Sequence, residues 1–514
     1  MNKTWKRHTA VRVAGLLTLL ASSLVAAMPP LARKYEVACN TCHIQPPQLN
    51  AFGEAFRNNG YQWPERGDEL GKIKDTPIVM AAEAYREAWP DAFLPSDIPH
   101  LPAVGFQVAG AASYAPPNPQ GNVSFSGAGV TLAQPGAPFD RRGQLDLSAL
   151  NEGLDLFIIG RAAPDTTLFA ELGFYSPDMR FAIERAEIVR SNILPHLALN
   201  AKVGRFEPDV SFTSGFRKLV GNNYDISSRT LGQPSGWALE PAVNQTGLEL
   251  NGVVGRGRVR YNAAVLAPYT GVPASLGGSP AGVANNSLDS YLHLETKLGG
   301  LRLDGVEEGA AVALQEPWVD NALWLGAYAY HGNHEVDLSR AYSGFGATGT
   351  PAALAPNALN QSDEFWREGG DVKLTRGSVW LIFAFATERH HLSAAGGLSA
   401  SSVSGQFASL EAEYILFPWL VPYLTVDYYH GDNPYLVNGG WGAVQAGSAA
   451  TPLSASSTPA KITEWTLRPA VSVHLYMNWK LFARAEFAKS PLKSDLQTGQ
   501  FKLANITVGT KLAF

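Results

Sequence analysis

The sequence of 514 residues is short of charge, of cysteine and of long hydrophobic runs. Only 17% of its residues are charged, whereas soluble chains average about 25%. After residue 30 it contains no run of 18 apolar residues, which excludes a helical membrane protein. Two cysteines are too few for a disulfide framework. Lys and Arg number 40 against 45 Asp and Glu, without basic blocks, which argues against nucleic acid as a partner.

The N-terminus has the three parts of a secretory signal peptide. A basic region precedes the apolar stretch Ala14–Val25, and small residues end it at Ala27. The sequence therefore predicts a signal peptide over residues 1–27 and export of the mature chain. Removal of four basic residues and no acid leaves a formal charge of about −9.

From residue 101 to 514 the chain alternates apolar and polar residues in segments of strand length. In the last segment Ile506, Val508 and Leu512 share one face, and Asn505 and Thr507 the other. Candidate strands begin near residues 103, 152, 165, 180, 195, 245, 257, 288, 322, 364, 377, 405, 419, 463, 478 and 502. Sixteen is an even number, as bacterial barrels require. We predict an all-β fold, a transmembrane antiparallel barrel of about 16 strands.

Long and short connections alternate between the predicted strands, except for a short link near 176–179 and a long one near 299–321. Short turns belong on the periplasmic side and long loops outside, so both ends of the barrel chain face the periplasm. The terminal Phe514 resembles the C-terminal signal of outer-membrane barrels. The alternative is a soluble propeller or a series of sandwiches, which also give many short strands. Strand-end aromatics, Tyr328, Tyr330, Tyr428 and Tyr429, suit interfacial girdles or an ordinary core.

Residues 28–100 form a different, mainly helical segment between the signal peptide and the barrel. Leu49, Phe52 and Phe56 recur at helical spacing, and Gly60 stands where a helix would stop. A second helix is predicted over residues 77–89, with strand as the alternative for 78–85. A segment of this size cannot bury a large hydrophobic core by itself. It therefore needs a covalent link, a cofactor or a surrounding protein wall to stabilise it.

Both cysteines lie in Cys39-Asn40-Thr41-Cys42-His43, the C-x-x-C-H attachment motif of c-type haem. Two thiols at this spacing form thioethers along one porphyrin edge, and the adjacent histidine ligates the iron. A structural zinc site would need further Cys or His pairs nearby, and a thiol oxidoreductase would need a βαβ surround. The motif predicts one covalently bound c-type haem. Cys39 and Cys42 are its attachment points, and His43 is its proximal ligand.

The sequence leaves the sixth ligand of the iron open. Met80 and His100 lie in the same segment as the motif, with a slight preference for Met80. A methionine ligand would give the higher reduction potential. Lumen-facing His293 or His474 could also reach a haem inside the barrel. For each of these residues, ordinary packing or hydration is the competing interpretation.

The motif and the residues after it resemble a known family. They are Ala38 to His43, Pro47, Leu49-Asn50, Phe52-Gly53, Phe56 and Gly60-Tyr61, followed by a sixteen-strand porin-like region. Together they resemble the fused monohaem cytochrome c-porins of the bacterial outer membrane, whose best-known members are iron oxidases. The resemblance covers the whole mature chain in architecture but only about residues 33–61 in specific positions. It implies haem attachment at Cys39 and Cys42 and ligation by His43.

The resemblance implies an Fe(II)-oxidising oxidoreductase of the outer membrane. The haem segment would enter from the periplasmic side, plug the barrel and bring the ring near the outer mouth. Electrons from extracellular Fe(II) would pass through the single haem to a periplasmic cytochrome or cupredoxin. The alternatives are outward electron transfer, oxidation of another donor, and a diffusion porin with a haem-bearing plug. The barrel would contact outer-membrane lipid in every case.

Histidines and carboxylates at predicted extracellular strand ends suggest where Fe(II) approaches. His331, His334, His390, His391 and His430 follow alternate strands, and imidazole and carboxylate suit Fe(II). We predict a weak metal-collecting rim, with ordinary girdle histidines as the alternative. Predicted lumen-facing charges, which pair and hydrate in any porin, are Glu171, Glu249, Arg260, Glu411, Glu413, Arg468, Arg484 and Glu486.

Overall fold

A computed structural model describes residues 31–32, 35, 37–45, 48–64, 103–116, 124–126, 129–131, 144–146, 153–163, 165–175, 180–210, 244–267, 288–306, 318–337, 360–393, 401–432, 461–476, 478–489 and 501–513. The predicted signal peptide, the predicted helix over 77–89, Met80, His100 and Phe514 lie outside the described residues. Within the described part, no helix is long and apolar enough to cross a membrane.

Before the barrel, the described segment contains a 3-10 turn at Cys39–Thr41, strands β1 (His43–Gln45) and β2 (Gln48–Leu49), and helix α1 (Ala51–Asn58). The predicted helix around Phe52 and Phe56 is therefore present, and it is eight residues long. Gly60 follows it with a φ of +66°, the left-handed conformation that ends helices. The described part of the segment also contains two short strands, so the prediction of a mainly helical segment is met only in part, by helix α1.

The rest of the described chain is β-strand. Three short strands, β4 (Ser124–Ser126), β5 (Gly129–Thr131) and β6 (Gln144–Asp146), lie between the first two barrel strands. The sixteen long strands are β3 (Ala103–Ala115), β7 (Gly153–Ala163), β8 (Thr166–Tyr175), β9 (Arg180–Leu194), β10 (Leu199–Phe206), β11 (Gln245–Val254), β12 (Val259–Leu266), β13 (Asp289–Gly299), β14 (Ala322–Asp337), β15 (Asn360–Arg376), β16 (Val379–Leu392), β17 (Ser401–Tyr414), β18 (Leu420–Asp432), β19 (Lys461–Tyr476), β20 (Trp479–Lys489) and β21 (Lys502–Ala513).

These sixteen strands form a closed antiparallel barrel, which confirms the predicted fold class. The barrel closes where β21 pairs with β3, with Thr510 opposite Gly110. One end, the short-turn end, carries the connections 164–165, 195–198, 255–258, 377–378, 415–419 and 477–478. The connection 300–321 also lies there, and the link 176–179 lies at the opposite, long-loop end. Both exceptions to the loop alternation noted in the sequence are therefore real.

Side chains alternate between the two faces of the wall. In β13, His293, Glu295 and Lys297 are buried inside the barrel, whereas Leu292 and Leu294 are 46% and 49% exposed on the outside. Large apolar residues cover the outer surface of the other long strands in the same way. An apolar outer face on a closed barrel is the surface that meets lipid, so these strands span a membrane.

The interior is packed rather than open where the aromatic residues lie. Tyr328, Tyr330 and Tyr429 face inward and are at most 6% exposed, so they belong to an internal aromatic cluster and not to an interfacial girdle. Tyr428 alone of the four strand-end tyrosines faces outward, where its ring lies 4.6 Å from that of Trp465. The full internal cluster is Phe206, Val210, Ala264, Leu266, Tyr291, Tyr328, Tyr330, Phe365, Ala384, Ala386, Phe407, Tyr429 and Ile462.

Charged side chains share the interior with this cluster. The predicted lumen charges lie inside, as shown by Arg468, which donates to Glu486 over 3.0 Å and also pairs with Asp427. Among the buried residues of the described strands, carboxylates outnumber Lys and Arg. The inner wall is therefore acidic as well as aromatic.

Candidate functional site

The C-x-x-C-H motif forms one compact turn. Residues Cys39–Thr41 make a 3-10 turn, and the Cys42 amide donates to the Cys39 carbonyl over 3.2 Å. Neither thiol is in a disulfide; Cys39 is 8% exposed and Cys42 is half-buried. His43 follows directly as the first residue of β1. The two sulfurs and the imidazole are thus presented from adjacent points of one turn.

The surroundings of the two thiols disfavour thiol–disulfide exchange. Burial raises the pKa of the Cys39 thiol. Burial, together with the neighbouring Cys39, raises the pKa of the Cys42 thiol to about 12. Because the thiolate is the reactive form, thiols with raised pKa values are weak nucleophiles at neutral pH. A structural or cofactor-attached role suits these cysteines better than redox exchange.

Asn50 holds the motif in its conformation. Its backbone amide donates to the Cys42 carbonyl over 2.9 Å. Its side-chain amide donates to the carbonyls of Asn40 and Thr41, each over 3.0 Å. The side-chain oxygen accepts from the Gly53 amide over 2.9 Å and so caps helix α1. One buried side chain therefore fixes both the cysteine turn and the start of the helix.

Replacing Asn50 with alanine is expected to loosen the segment without unfolding the barrel. The change removes the helix cap and leaves two carbonyls of the motif turn without their donor, at a cost of about 1–3 kcal/mol for each buried group left unsatisfied. Limited proteolysis of the purified protein would measure this loosening. We expect faster cleavage within residues 31–64 than in the wild type.

The matched control is Asn478→Ala, which removes one hydrogen bond to the Ala513 carbonyl at a barrel turn. It should leave cleavage of the segment unchanged. Equal protease resistance in the Asn50→Ala and wild-type proteins would contradict the role given to Asn50.

Helix α1 packs closely against the motif because residue 53 has no side chain. A Cβ built on Gly53 would lie inside 3.0 Å of the Cys42 carbonyl oxygen, closer than real Cβ atoms come. The nearest backbone atoms belong to the motif turn and cannot move independently of it. Gly53 is therefore required by the close approach, not by its own backbone conformation.

An aromatic cluster packs beside Cys42. The Tyr35 and Phe56 rings meet edge to face with centroids 5.3 Å apart, and the Phe52 and Trp63 rings lie 4.9 Å apart. Cys42 packs against this cluster as a partly buried member. The surround of the motif is thus apolar and aromatic, as a porphyrin ring requires of its neighbours.

Polar contacts attach the segment to the inner wall of the barrel at β17, at β12 and just after β10. The Gln48 amide donates to both Glu413 carboxylate oxygens, over 2.7 and 2.9 Å, and both residues are buried. Arg57 forms an ion pair with Asp209 over 3.2 Å. Arg260 donates to the Asn58 side chain over 3.3 Å. Two of the predicted lumen charges, Glu413 and Arg260, therefore hold the segment.

A second set of contacts lies on β8, nearly opposite the Glu413 contact on β17, and at the short-turn end. The Thr167 hydroxyl donates to the Gly60 carbonyl over 2.7 Å. The Tyr61 ring stacks on Phe169 with centroids 5.7 Å apart. Asn58 donates to the Leu303 carbonyl over 2.9 Å in the connection at the short-turn end. The described segment therefore crosses the interior and contacts opposite parts of the wall.

Ile44, next to the proximal-ligand candidate His43, fixes its position in the barrel. Ile44 packs with Trp380, Val421 and Tyr423, and Phe482 packs against the same cluster. These side chains come from β16, β18 and β20, close to the turns of the short-turn end. The motif turn thus lies at the short-turn end, not near the outer mouth where the sequence analysis expected the ring.

The described candidates for a second axial ligand have different surroundings. His293 contacts the Asp209 carbonyl through Nδ1 over 3.0 Å and lies 3.7 Å from Asp371. His474 is 5% exposed, and neither ring nitrogen has a hydrogen-bond partner among the described residues. It lies near the end of β19, at the same short-turn end as the cluster that contains Ile44, the neighbour of His43.

The five histidines of the expected Fe(II) rim are not brought into one cluster. All lie toward the long-loop end, but His390 points into the barrel, while His331, His391 and His430 lie on the outer face. His334 lies in β14 opposite Asp363. Because adjacent residues of a strand face opposite sides, nearness in sequence does not bring them together. No group of three or more His, Cys, Asp or Glu that could hold a metal ion occurs in the described part of the chain.

His390 instead joins a buried ionic network. Its Nδ1 lies 2.9 Å from both Asp363 carboxylate oxygens, and its Nε2 lies 2.7 Å from Glu388. Glu388 also pairs with Arg367. Both ring nitrogens are already engaged by carboxylates, as in a structural ion pair inside the wall.

The residues of the motif turn fit a c-type haem. Two free thiols one turn apart meet the thioether spacing, and His43 stands beside them. Aromatic packing flanks Cys42, and His474, a buried imidazole without a hydrogen-bond partner among the described residues, lies in the wall at the same end of the barrel. The aromatic packing and the buried imidazole are observations that the sequence pattern of the motif does not contain.

Sequence reasoning did not single out two residues of the site. Lys480 is 3% exposed on the inner face and pairs across the strands with His474. The alternation of β20 gave a usable signal, since Lys480 shares its face with the predicted lumen charge Arg484. Ile44 gave none, because one apolar residue after a histidine does not reveal which wall it meets.

No protein-family model matches the sequence, and no curated protein matches it. Solved structures do match. The outer membrane channel DcaP of Acinetobacter baumannii is 12% identical, with 80% of this chain and 96% of that chain covered and a TM-score of 0.43. OprB of Pseudomonas putida is 11% identical, covering 80% and 94%, with a TM-score of 0.43. OmpT of Vibrio cholerae is 8% identical, covering 80% and 98%, with a TM-score of 0.43. The barrel itself is assigned from its own strand pairing.

Proposed function

We propose that this protein is an outer-membrane electron-transfer protein that oxidises extracellular Fe(II) at a single c-type haem and passes the electron to a periplasmic carrier. The observation that carries the proposal is the position of the C-x-x-C-H turn, fixed inside a closed membrane-spanning barrel by contacts with opposite walls. A diffusion porin has no need of a cysteine turn held in this way.

The residues of the turn have separate roles in the proposal. Cys39 and Cys42 hold the haem covalently, and His43 ligates its iron. When bound, the haem supplies one-electron chemistry that no side chain provides. Asn50 and Gly53 keep the turn in place, so that attachment and ligation occur at one geometry. The aromatic residues beside Cys42 keep water away from that side of the site.

The acidic interior supports a small cationic donor. Asp289, Asp363 and Glu388 are buried on the inner face near the long-loop end. Arg367 pairs with Glu388 in the same region, but buried carboxylates outnumber Lys and Arg over the described inner wall. An excess of one sign of charge raises the local concentration of the opposite sign, so a divalent cation is favoured over an anion. The internal aromatic cluster narrows the same region and selects against large solutes.

The proposed exit for electrons is the periplasm. Short turns face the periplasm in barrels of this kind, and the motif turn lies at the short-turn end. A soluble cytochrome or cupredoxin on that side would approach the haem more closely than any extracellular protein. In this proposal, donor and acceptor approach one redox centre from opposite sides of the barrel.

Anaerobic mixing of Fe(II) with oxidised outer membranes tests the function. Following the haem α-band, we expect reduction by Fe(II) in the wild type and its loss in His43→Ala. An outward-facing control, His391→Ala, should match the wild type because His391 is exposed on the outer wall. Reduction by dithionite but not by Fe(II) would overturn iron oxidation and favour outward transfer or another donor.

A further inference from the structure

One histidine of the inner wall has no hydrogen bond to any described residue. His474 is 5% exposed, yet neither ring nitrogen has a partner in the described part of the chain. Buried polar groups in native proteins are nearly always bonded, and each exception requires an explanation. His293 and His390, which also point inward, both contact oxygen atoms.

The position of His474 supplies that explanation. It is the last buried residue of β19 before the turn at 477–478, so it lies at the same short-turn end as the motif. Ile44 packs against side chains from β18 and β20, the two strands that flank β19. His43, which directly precedes Ile44, therefore lies near the end of β19 that carries His474, although 431 positions separate the two histidines in the chain.

The charges beside His474 suit the same ligand. Lys480 pairs across the strands with His474, and Lys511 pairs with Lys480. Directly opposed residues of neighbouring strands share a face, so the three basic side chains form a row on the inner wall. A c-type haem carries two propionate carboxylates, and a row of basic side chains could pair with them.

We propose that His474 is the second axial ligand of the haem iron, opposite His43. This inference rests on the proposed haem attachment at Cys39 and Cys42. It assigns the ligand to the barrel wall, and it replaces Met80 and His100 of the N-terminal segment as candidates. The iron then joins the segment to the barrel, and two imidazoles give a lower reduction potential than a histidine and a methionine would.

Optical and electron paramagnetic resonance spectra of the purified full-length protein test the ligand. We expect a six-coordinate low-spin haem in the wild type that resists carbon monoxide when reduced. In His474→Ala we expect the loss of the low-spin signal, binding of carbon monoxide, and recovery of the low-spin spectrum on adding imidazole. His391→Ala, on the outer wall, should keep the wild-type spectrum.

A second variant keeps the assignment testable if the His474→Ala protein does not assemble. His474→Met keeps a ligand at the same place, and its reduction potential should rise relative to the wild type. A low-spin spectrum in His474→Ala that matches the wild type, or an unchanged potential in His474→Met, would overturn the assignment. Covalent haem is scored separately by peroxidase staining after denaturation. Its absence from the wild type would overturn the proposed function and, with it, the ligand.

Discussion

Gly53→Ala is expected to abolish haem attachment while the barrel still assembles. By helix propensity alone the change would stabilise α1 by about 1 kcal/mol. The new Cβ, however, would lie inside 3.0 Å of the Cys42 carbonyl oxygen, so the helix and the motif turn cannot keep their present contact. Peroxidase staining of covalent haem, normalised to the amount of folded barrel, would measure the loss.

The matched control is Gly377→Ala at a barrel turn. A Cβ at Gly377 would meet nothing within 4 Å, although its φ of +56° strains any other residue by about 1–2 kcal/mol. Haem content should therefore be unchanged in Gly377→Ala. Full haem occupancy in Gly53→Ala would show that the close approach of helix and turn is not needed for attachment.

Gln48→Ala/Arg57→Ala is expected to open the barrel to ions. A barrel of sixteen strands leaves an aqueous channel when nothing fills it. Here the segment is held by the Gln48 bonds to Glu413 and by the ion pair of Arg57 with Asp209. Loss of both anchors should raise single-channel conductance in planar bilayers by about an order of magnitude above the wild type.

The control for conductance is Arg190→Ala/Gln406→Ala, which removes the same two side-chain types from exposed positions of the wall. It should conduct as the wild type does. A wild-type conductance equal to that of an open porin would contradict the occupied interior and support the diffusion-porin alternative.

Alternation of side chains was enough to predict the barrel. All sixteen predicted strand starts lie within a few residues of the observed ones, including the long strands after residue 320. The reason is physical: a wall with lipid on one side and a lumen on the other imposes a period of two on every strand. The two irregular connections were also located from the sequence.

The faces of some strands were harder to predict. In β14, Trp324, Tyr328 and Tyr330 are the large residues, and lipid would accept them as readily as a core. They lie inside, because the interior of this barrel is packed with aromatic side chains and is not simply wet. Hydrophobicity cannot identify the face of a strand that meets lipid when the inner face also carries large aromatic residues.

Of the candidate site, the sequence could predict only the residues that are adjacent in the chain. The motif located Cys39, Cys42 and His43, because its chemistry depends on adjacent positions. Glu413 meets Gln48 of the segment across 365 residues, and such a pair follows from the closure of the barrel rather than from any local pattern. The rim histidines His331, His390, His391 and His430 are divided between the two faces of the wall by the alternation of each strand.

The contacts of the segment with opposite walls constrain the order of biogenesis. Cys39 lies at the short-turn end of a barrel whose seam, β21 with β3, joins the first long strand to the last. Once that seam forms, an attachment enzyme no longer has free access to the two thiols. Under the proposed function, haem would therefore be joined to a chain that is still unclosed, and the strands would then close around the loaded segment. Maturation of the cofactor and insertion into the membrane would be successive steps of one pathway, with the cofactor first.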